Sequence, residues 1–325
     1  MKISVLGCGR WGSFIAWYLC NRGNEVYSWG PEEGDSYKIL KETGRNEYVA
    51  LDKRITLTCD LQEAVTRAEI IVISISAQGV RGFMQKIMRY PVKDKIFVLC
   101  MKGIEIETGK RLSEVLVESG ISPDKIAVWV GPGHIQSFVQ GVPNCMVIDS
   151  ANDTLKRKLA DEFRSDLIRF YYGEDLIGTE IGAAAKNVMG IAAGALDVIC
   201  VPLKGPLMSR GAREVARLIK AMGGNELSAY GLAHLGDYET TLFSPYSHNR
   251  MYGEMLAKGQ RFEKLAEGVA TSKAMMYLGK KYGVDLPITE VVYKVCYGEA
   301  GNDEQRCRES ITALFSRSAK TEMYE

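Results

Sequence analysis

The 325-residue sequence predicts an α/β protein in two parts: a doubly wound parallel-sheet domain over residues 1–177 and an all-helical domain over 178–325. The first part alternates short, nearly continuous apolar runs rich in β-branched residues with amphipathic segments, the pattern of parallel strands covered on both faces. From about Gly178 the alternation stops, and the periodicity beyond it is helical throughout. The chain is also longer than one ordinary core fills.

Taken in order, the predicted strands are residues 2–6, 25–29, 70–75, 95–100, 127–130 and 145–149, with 167–172 as the last. Helical spacing is clearest at 210–220 and 270–280. Neither an internal repeat nor a low-complexity linker separates the halves, so a tight junction is expected, and clefts at such junctions are favoured ligand sites.

Composition excludes several classes. Hydrophobic content of 46% and charged content of 25% argue against disorder and fibrous structure. With 41 Lys+Arg against 40 Asp+Glu and no basic stripe, neither nucleic acid nor a membrane surface is an expected partner. The eight cysteines are scattered without a C-x-x-C pair and read as buried free thiols in a reducing compartment. The first apolar run is short and ends in glycines, and no stretch reaches the roughly 18–20 apolar residues of a spanning helix. No signal peptide, no membrane insertion and a cytoplasmic location are therefore expected. His134, His234 and His248 form no ligand spacing with the acids, so no metal is expected.

The segment Gly178-Thr-Glu-Ile-Gly-Ala-Ala-Ala-Lys186-Asn187 places a lysine in a run of small apolar residues that continues to Gly194. A helix with so little polar surface is expected to be covered on both faces. A lysine kept from water has a lowered pKa and is a candidate proton-transfer group. A snorkelling or cap-paired lysine is the structural alternative.

Gly7-Cys-Gly9-Arg10-Trp11-Gly12 follows the first strand and opens a helix, with a second strand at 25–29. Gly7 suits the tight turn, Gly9 the close approach of a pyrophosphate, and Gly12 close helix packing, which is a Rossmann-type dinucleotide-binding arrangement. A turn that has outlived its nucleotide is the alternative. After the second strand the chain reads Trp29-Gly-Pro-Glu32-Glu33, with no arginine until Arg45. That leans towards NAD over NADP, although Glu32 and Glu33 could also be a solvated turn.

Further motifs carry a family resemblance over nearly the whole chain. They are Gly7 to Gly12, Met101-Lys102-Gly103-Ile-Glu105, Gly131-Pro132, Gly178 to Asn187, Gly236-Asp237 with Thr241, Ser244 to Gly253, Glu267-Gly268 and the segment 282–293. In this order they resemble the NAD(P)-dependent sn-glycerol-3-phosphate dehydrogenases of the bacterial, soluble type. The resemblance implies reversible reduction of dihydroxyacetone phosphate, feeding phospholipid synthesis. It implies Lys186 as the acid/base group, Lys102 as a second lysine that polarises the same oxygen and contacts cofactor and substrate, and Asp237 as the group holding Lys186. A cap or turn residue after Gly236 is the structural alternative for Asp237.

By the same resemblance, Gly7, Gly9, Arg10, Trp11, Gly12, Glu32, Ile135 and Glu267 face the cofactor. Gly131, Gly133, Asn187, Thr241, Ser247, His248, Asn249 and Arg250 face the phosphorylated substrate. Read alone, 244–250 could be a solvated loop, and Glu267 a surface acid.

The chain also departs from the family. The loop G-P-[S/T]-x-A-x-E reads Gly131-Pro-Gly133-His-Ile135-Gln-Ser137, which removes a hydroxyl and an acid. The arginine of S-R-N-R is His248, which removes a permanent charge near phosphate. Two prolines, Pro202 and Pro206, exclude the family's usual backbone path before the following helix. The alternatives left open are another small phosphorylated or carboxylated 2-oxo substrate, and a nucleotide sensor without turnover. A homodimer is the expectation from size alone.

Overall fold

Strand β1 (Lys2–Leu6) is buried at every position but the first, as expected of a strand with neighbours on both sides and helices on both faces. A computed structural model describes residues 1–297, 304–318 and 321. The other strands are β2 (Glu25–Trp29), β3 (Thr56–Thr58), β4 (Ile70–Ile73), β5 (Ile96–Leu99), β6 (Ile126–Val130), β7 (Asn144–Asp149) and β8 (Ile168–Tyr172). They form one eight-stranded sheet in the order β3-β2-β1-β4-β5-β6-β7-β8. Every strand expected from sequence is present. Strand β3, only three residues long, is too short to register as an apolar run.

The expectation of a parallel sheet needs one correction. β7 runs antiparallel to β6, with Val128 opposite Asp149, and β8 then runs parallel to β7. The helix between β6 and β7 covers only Ile135–Val139. At ~1.5 Å per residue such a helix cannot carry the chain back along a strand rising ~3.3 Å per residue.

Helices α1 (Arg10–Asn21), α2 (Asp35–Thr43), α3 (Leu61–Arg67), α4 (Val80–Ile87), α5 (Leu112–Glu118), α6 (Ile135–Val139) and α7 (Asp153–Phe163) cover the sheet. One face packs Phe14, Leu19 and Phe163 around Trp129. The other packs Ile71, Phe97 and Leu116 with Ile87.

Beyond the sheet come α8 (Leu176–Ile199), α9 (Lys204–Ala221), α10 (His248–Ala257), α11 (Glu267–Tyr282), α12 (Pro287–Tyr297) and α13 (Glu304–Phe315). This half is helical, as expected, with no strand among its described residues. A π-helical turn covers Glu239–Phe243, and the chain between α10 and α11 is irregular.

Helix α8 is the axis of the second core, with Ile181, Val188 and Met189 against Val215, Met275 and Leu278. Contrary to expectation, one segment is long and apolar enough to cross a membrane, and it is α8 itself. Its apolar window is 83% buried inside the protein, so its hydropathy reflects coverage by neighbouring helices. The small residues have a packing reason. A Cβ on Gly194 would lie 1.9 Å from the Arg250 carbonyl oxygen, so the backbones of α8 and α10 are in direct contact.

Two residues passed over in the sequence lock α8 to the sheet. The Thr179 hydroxyl donates to Asp149 Oδ2 at 2.7 Å. The buried Glu180 carboxylate accepts from Arg111 Nη1 at 2.7 Å and from the Ser113 N–H at 2.9 Å. Lys186 is thereby held at a fixed place over the strand ends.

Candidate active site

The strand order reverses at β1 and β4, and in open α/β sheets the crevice beyond such strand ends is the ligand site. Gly7 to Gly12 follow β1, Ala77 lies beyond β4, Lys102 beyond β5, and Gly131 directly follows β6. Helix α8 brings Lys186 to the same crevice.

Lys186 is buried, with its Nζ donating to Thr241 Oγ1 at 2.7 Å and lying 3.0 Å from Asp237 Oδ2. The same Asp237 oxygen takes Lys102 Nζ at 2.7 Å, and Lys102 also donates to the Gly131 carbonyl at 2.8 Å. Asp237 is fully buried, and its other oxygen accepts from the Thr240 hydroxyl. The π-helical turn makes this possible, because it directs the hydroxyls of Thr240 and Thr241 back onto the Asp237 residue that precedes it. Thr241, expected at the substrate, is here a partner of Lys186.

The electrostatics follow from this geometry. Burial pushes Lys186 down to about 8; Asp237 opposes the shift and Lys102 reinforces it. Burial alone would raise Asp237, yet Lys102 and Lys186 hold it below the usual carboxylate range. The result is a lysine able to exchange a proton near neutral pH beside a second ammonium group.

A chain of amides braces the lysines. Asn187 donates to the Lys102 carbonyl at 2.9 Å, Asn249 donates to Asn187 Oδ1 at 3.0 Å, and the Gly268 N–H donates to Asn249 Oδ1 at 2.8 Å. Backbone groups at both ends fix the amide orientations. Each amide retains one N–H for a ligand.

The remaining residues expected at the substrate have other partners. Ser247 caps α10, accepting from the Arg250 N–H at 3.3 Å. His248 Nδ1 lies 3.3 Å from the Leu265 carbonyl, and burial lowers its pKa. Arg250 was expected to pair with phosphate, but its Nε lies 2.6 Å from Asp197 Oδ2. Those atoms are close without hydrogen-bond alignment, so the contact is an ion pair. Lys204 shares Asp197.

Gly133 has a physical explanation. Its φ is +152°, and a Cβ there would lie 2.3 Å from the Phe138 ring, so the family's hydroxyl residue cannot stand at this position without moving Phe138.

On the cofactor side the glycines divide by role. A Cβ on Gly7 would meet the Ser74 carbonyl at 2.2 Å, and one on Gly12 the Gly7 carbonyl at 1.7 Å, whereas nothing lies within 4 Å of one on Gly9. Gly9 caps α1 without a side-chain acceptor, which leaves first-turn N–H groups for an anion. This donor set fits a dinucleotide pyrophosphate. Trp11 packs on Phe14 with ring centroids 5.2 Å apart. Glu32 is exposed, three residues past β2. Glu267 opens α11, where its carboxylate accepts from the Ala77 N–H at 3.4 Å and burial raises its pKa. Ile135 is 1% exposed and belongs to the sheet core, so only its backbone is available to a ligand.

Sequence reasoning missed His134, which it weighed only as a metal ligand. Its Nε2 is buried and has no hydrogen-bond partner. Burial, with Lys186 and Arg10 nearby, pushes its pKa down to about 4, so the ring is neutral. That unmade hydrogen bond was the missing signal, and a sequence does not display it.

A glycine-rich turn at the sheet's switch point, facing a buried lysine pair on one carboxylate, defines a dinucleotide-dependent oxidoreductase. The chain belongs to the NAD-dependent glycerol-3-phosphate dehydrogenase family, whose N-terminus model matches residues 2–156 and whose C-terminus model matches residues 175–305. Glycerol-3-phosphate dehydrogenase [NAD(P)+] of Prosthecochloris aestuarii is 33% identical over 99% of this chain and 100% of its own. The enzyme of that name from Moorella thermoacetica is 37% identical over 91% of each chain. The crystal structure of glycerol-3-phosphate dehydrogenase from Coxiella burnetii superposes with a TM-score of 0.88 at 24% identity, over 97% of this chain and 99% of that one.

Proposed function

We propose that the protein catalyses the reversible, NAD(P)H-dependent reduction of dihydroxyacetone phosphate to sn-glycerol 3-phosphate, for glycerophospholipid synthesis. The observation that carries the reading is Lys186, buried and hydrogen-bonded, with its pKa brought down to about 8 beside Asp237. The bound cofactor supplies or takes the hydride. Lys186 gives a proton to the ketone oxygen in reduction and takes the C2 hydroxyl proton in oxidation. Lys102 polarises the same oxygen. Asp237 holds both ammonium groups on one carboxylate oxygen, so that they face one point. Asn187 and Asn249 fix the lysine-bearing segments and offer their remaining N–H groups to substrate.

Residues 1–177 hold the cofactor in this reading and residues 178–325 supply the substrate side. Gly7, Gly9, Arg10, Trp11 and Gly12 take the pyrophosphate, and Glu267 closes the nicotinamide end. Glu32, with no arginine between it and Arg45, favours NAD over NADP. A cytoplasmic homodimer is part of the same reading.

A second reading rests on Gly133, Ser137 and His248, where hydroxyl, acid and arginine are absent: the substrate is a different small phosphorylated or carboxylated 2-oxo compound. The intact Lys102, Lys186 and Asp237 cluster weighs against a nucleotide sensor without turnover. NADH oxidation by the purified protein separates the three. Turnover with dihydroxyacetone phosphate supports the first reading, turnover only with a related 2-oxo compound the second, and NADH binding without turnover on any of them the third.

A further inference from the structure

The cations of the crevice are matched to acids, with one exception. Lys186 and Lys102 share Asp237, and Arg250 and Lys204 share Asp197. Arg10 has only neutral partners among the described residues. Its Nη1 donates to the Tyr246 carbonyl at 3.3 Å, its Nη2 lies 3.5 Å from Gln136 Oε1, and its guanidinium stands over the Tyr48 ring at 5.2 Å. The backbone of Arg10 therefore belongs to the glycine-rich turn, while its side chain crosses the crevice to the segment that precedes α10.

His134 reaches the same place. Its ring stands edge-on to Tyr246 with centroids 5.7 Å apart, and its buried Nε2 has no partner. A guanidinium with no acid partner and a buried ring nitrogen with no hydrogen-bond partner thus meet around one tyrosine. The usual suppliers of charge in this region are absent or occupied: position 248 is a histidine bound to Leu265, and Arg250 is held by Asp197. Dihydroxyacetone phosphate carries its phosphate at the end away from the free hydroxymethyl group. The dianion therefore needs a cation apart from the lysines at the ketone.

We propose that the Arg10 guanidinium, with the His134 Nε2–H beside it, grips the substrate's phosphate, supplying from the cofactor turn the charge that is missing at His248. This rests on the triose-phosphate reading above. It makes Arg10 a residue of two allegiances, with its backbone serving the cofactor and its side chain the substrate.

The test is steady-state kinetics of Arg10→Ala and Arg10→Lys, with NADH affinity measured by fluorescence titration and folding checked by thermal denaturation. In Arg10→Ala the KM for dihydroxyacetone phosphate rises by about 30-fold or more, and Arg10→Lys recovers part of the loss, because it restores charge without the two-pronged fork. NADH affinity changes by no more than about 3-fold, and kcat/KM falls at least about 10-fold further for dihydroxyacetone phosphate than for unphosphorylated dihydroxyacetone. Equal losses on the two substrates, or a loss confined to NADH affinity, would overturn the proposal. If the wild type turns over no triose phosphate, the reaction assignment is what fails. Binding of inorganic phosphate to the NADH-loaded protein then decides the role of Arg10: about 10-fold weaker binding in Arg10→Ala sustains an anion site, and equal binding removes it.

Discussion

Asp237 Oδ2 lies 3.0 Å from Lys186 Nζ, and that same oxygen is 2.7 Å from Lys102 Nζ. One buried carboxylate oxygen thus sets the positions of two ammonium groups and moderates the charge of the more buried one. An unaccompanied lysine in this place would lose its proton too easily to act as an acid at neutral pH.

The pH dependence follows with a definite sign. Reduction needs Lys186 protonated, so its rate falls as pH rises through about 8, while oxidation needs the neutral amine and rises over the same range. Asp237→Asn removes the influence that keeps Lys186 charged. The alkaline break of the reduction profile then moves to lower pH, and the rate at pH 7 drops by about 10²-fold or more. Rate profiles of both proteins in both directions check this, and an unmoved break contradicts it.

Glycines of similar appearance should respond oppositely to alanine. Gly194→Ala sets a methyl group 1.9 Å from the Arg250 carbonyl and forces α10 off α8, costing about 1–3 kcal/mol of stability with loss of activity. Gly9→Ala meets nothing within 4 Å beyond its own stretch of chain, so stability changes by less than about 1 kcal/mol, while NADH binding weakens about 10-fold or more. Denaturation curves and NADH titrations of the two variants make the comparison.

Glu180→Ala removes the acceptor of Arg111 and of the Ser113 N–H at the junction between sheet and α8. Arg111 keeps its second acid, Glu114, at 3.3 Å, so the cost is that of the lost buried acceptor, about 1–3 kcal/mol. Urea denaturation should show the loss, and a change under about 1 kcal/mol would mean that the junction is held without Glu180.

The sheet and the α8 axis were legible in the sequence because they depend on local patterns: apolar runs of strand length, a glycine turn between strand and helix, and a run of small residues around Lys186. The reversal of β7 was not legible, since it depends on the reach of the short α6 connection. Lys102, Lys186 and Asp237 could be named before the structure, but the single oxygen on which both lysines meet could not. The engagement of Arg250 by Asp197 was hidden for the same reason. Charged residues far apart in sequence give no sign of which acid claims which base. The roles of Thr179 and Glu180 were not legible in the Gly178 to Asn187 run, because their partners Asp149, Arg111 and Ser113 lie in the other half of the chain.

Turnover of NADH with dihydroxyacetone phosphate by the wild type and by Lys186→Ala tests the proton-donor role most directly. The expected result is loss of about 10²–10⁴-fold or more in kcat for the variant, with NADH affinity within a few-fold of the wild type. A Lys186→Ala protein that folds, binds NADH and keeps a near-normal rate would remove Lys186 from the chemistry.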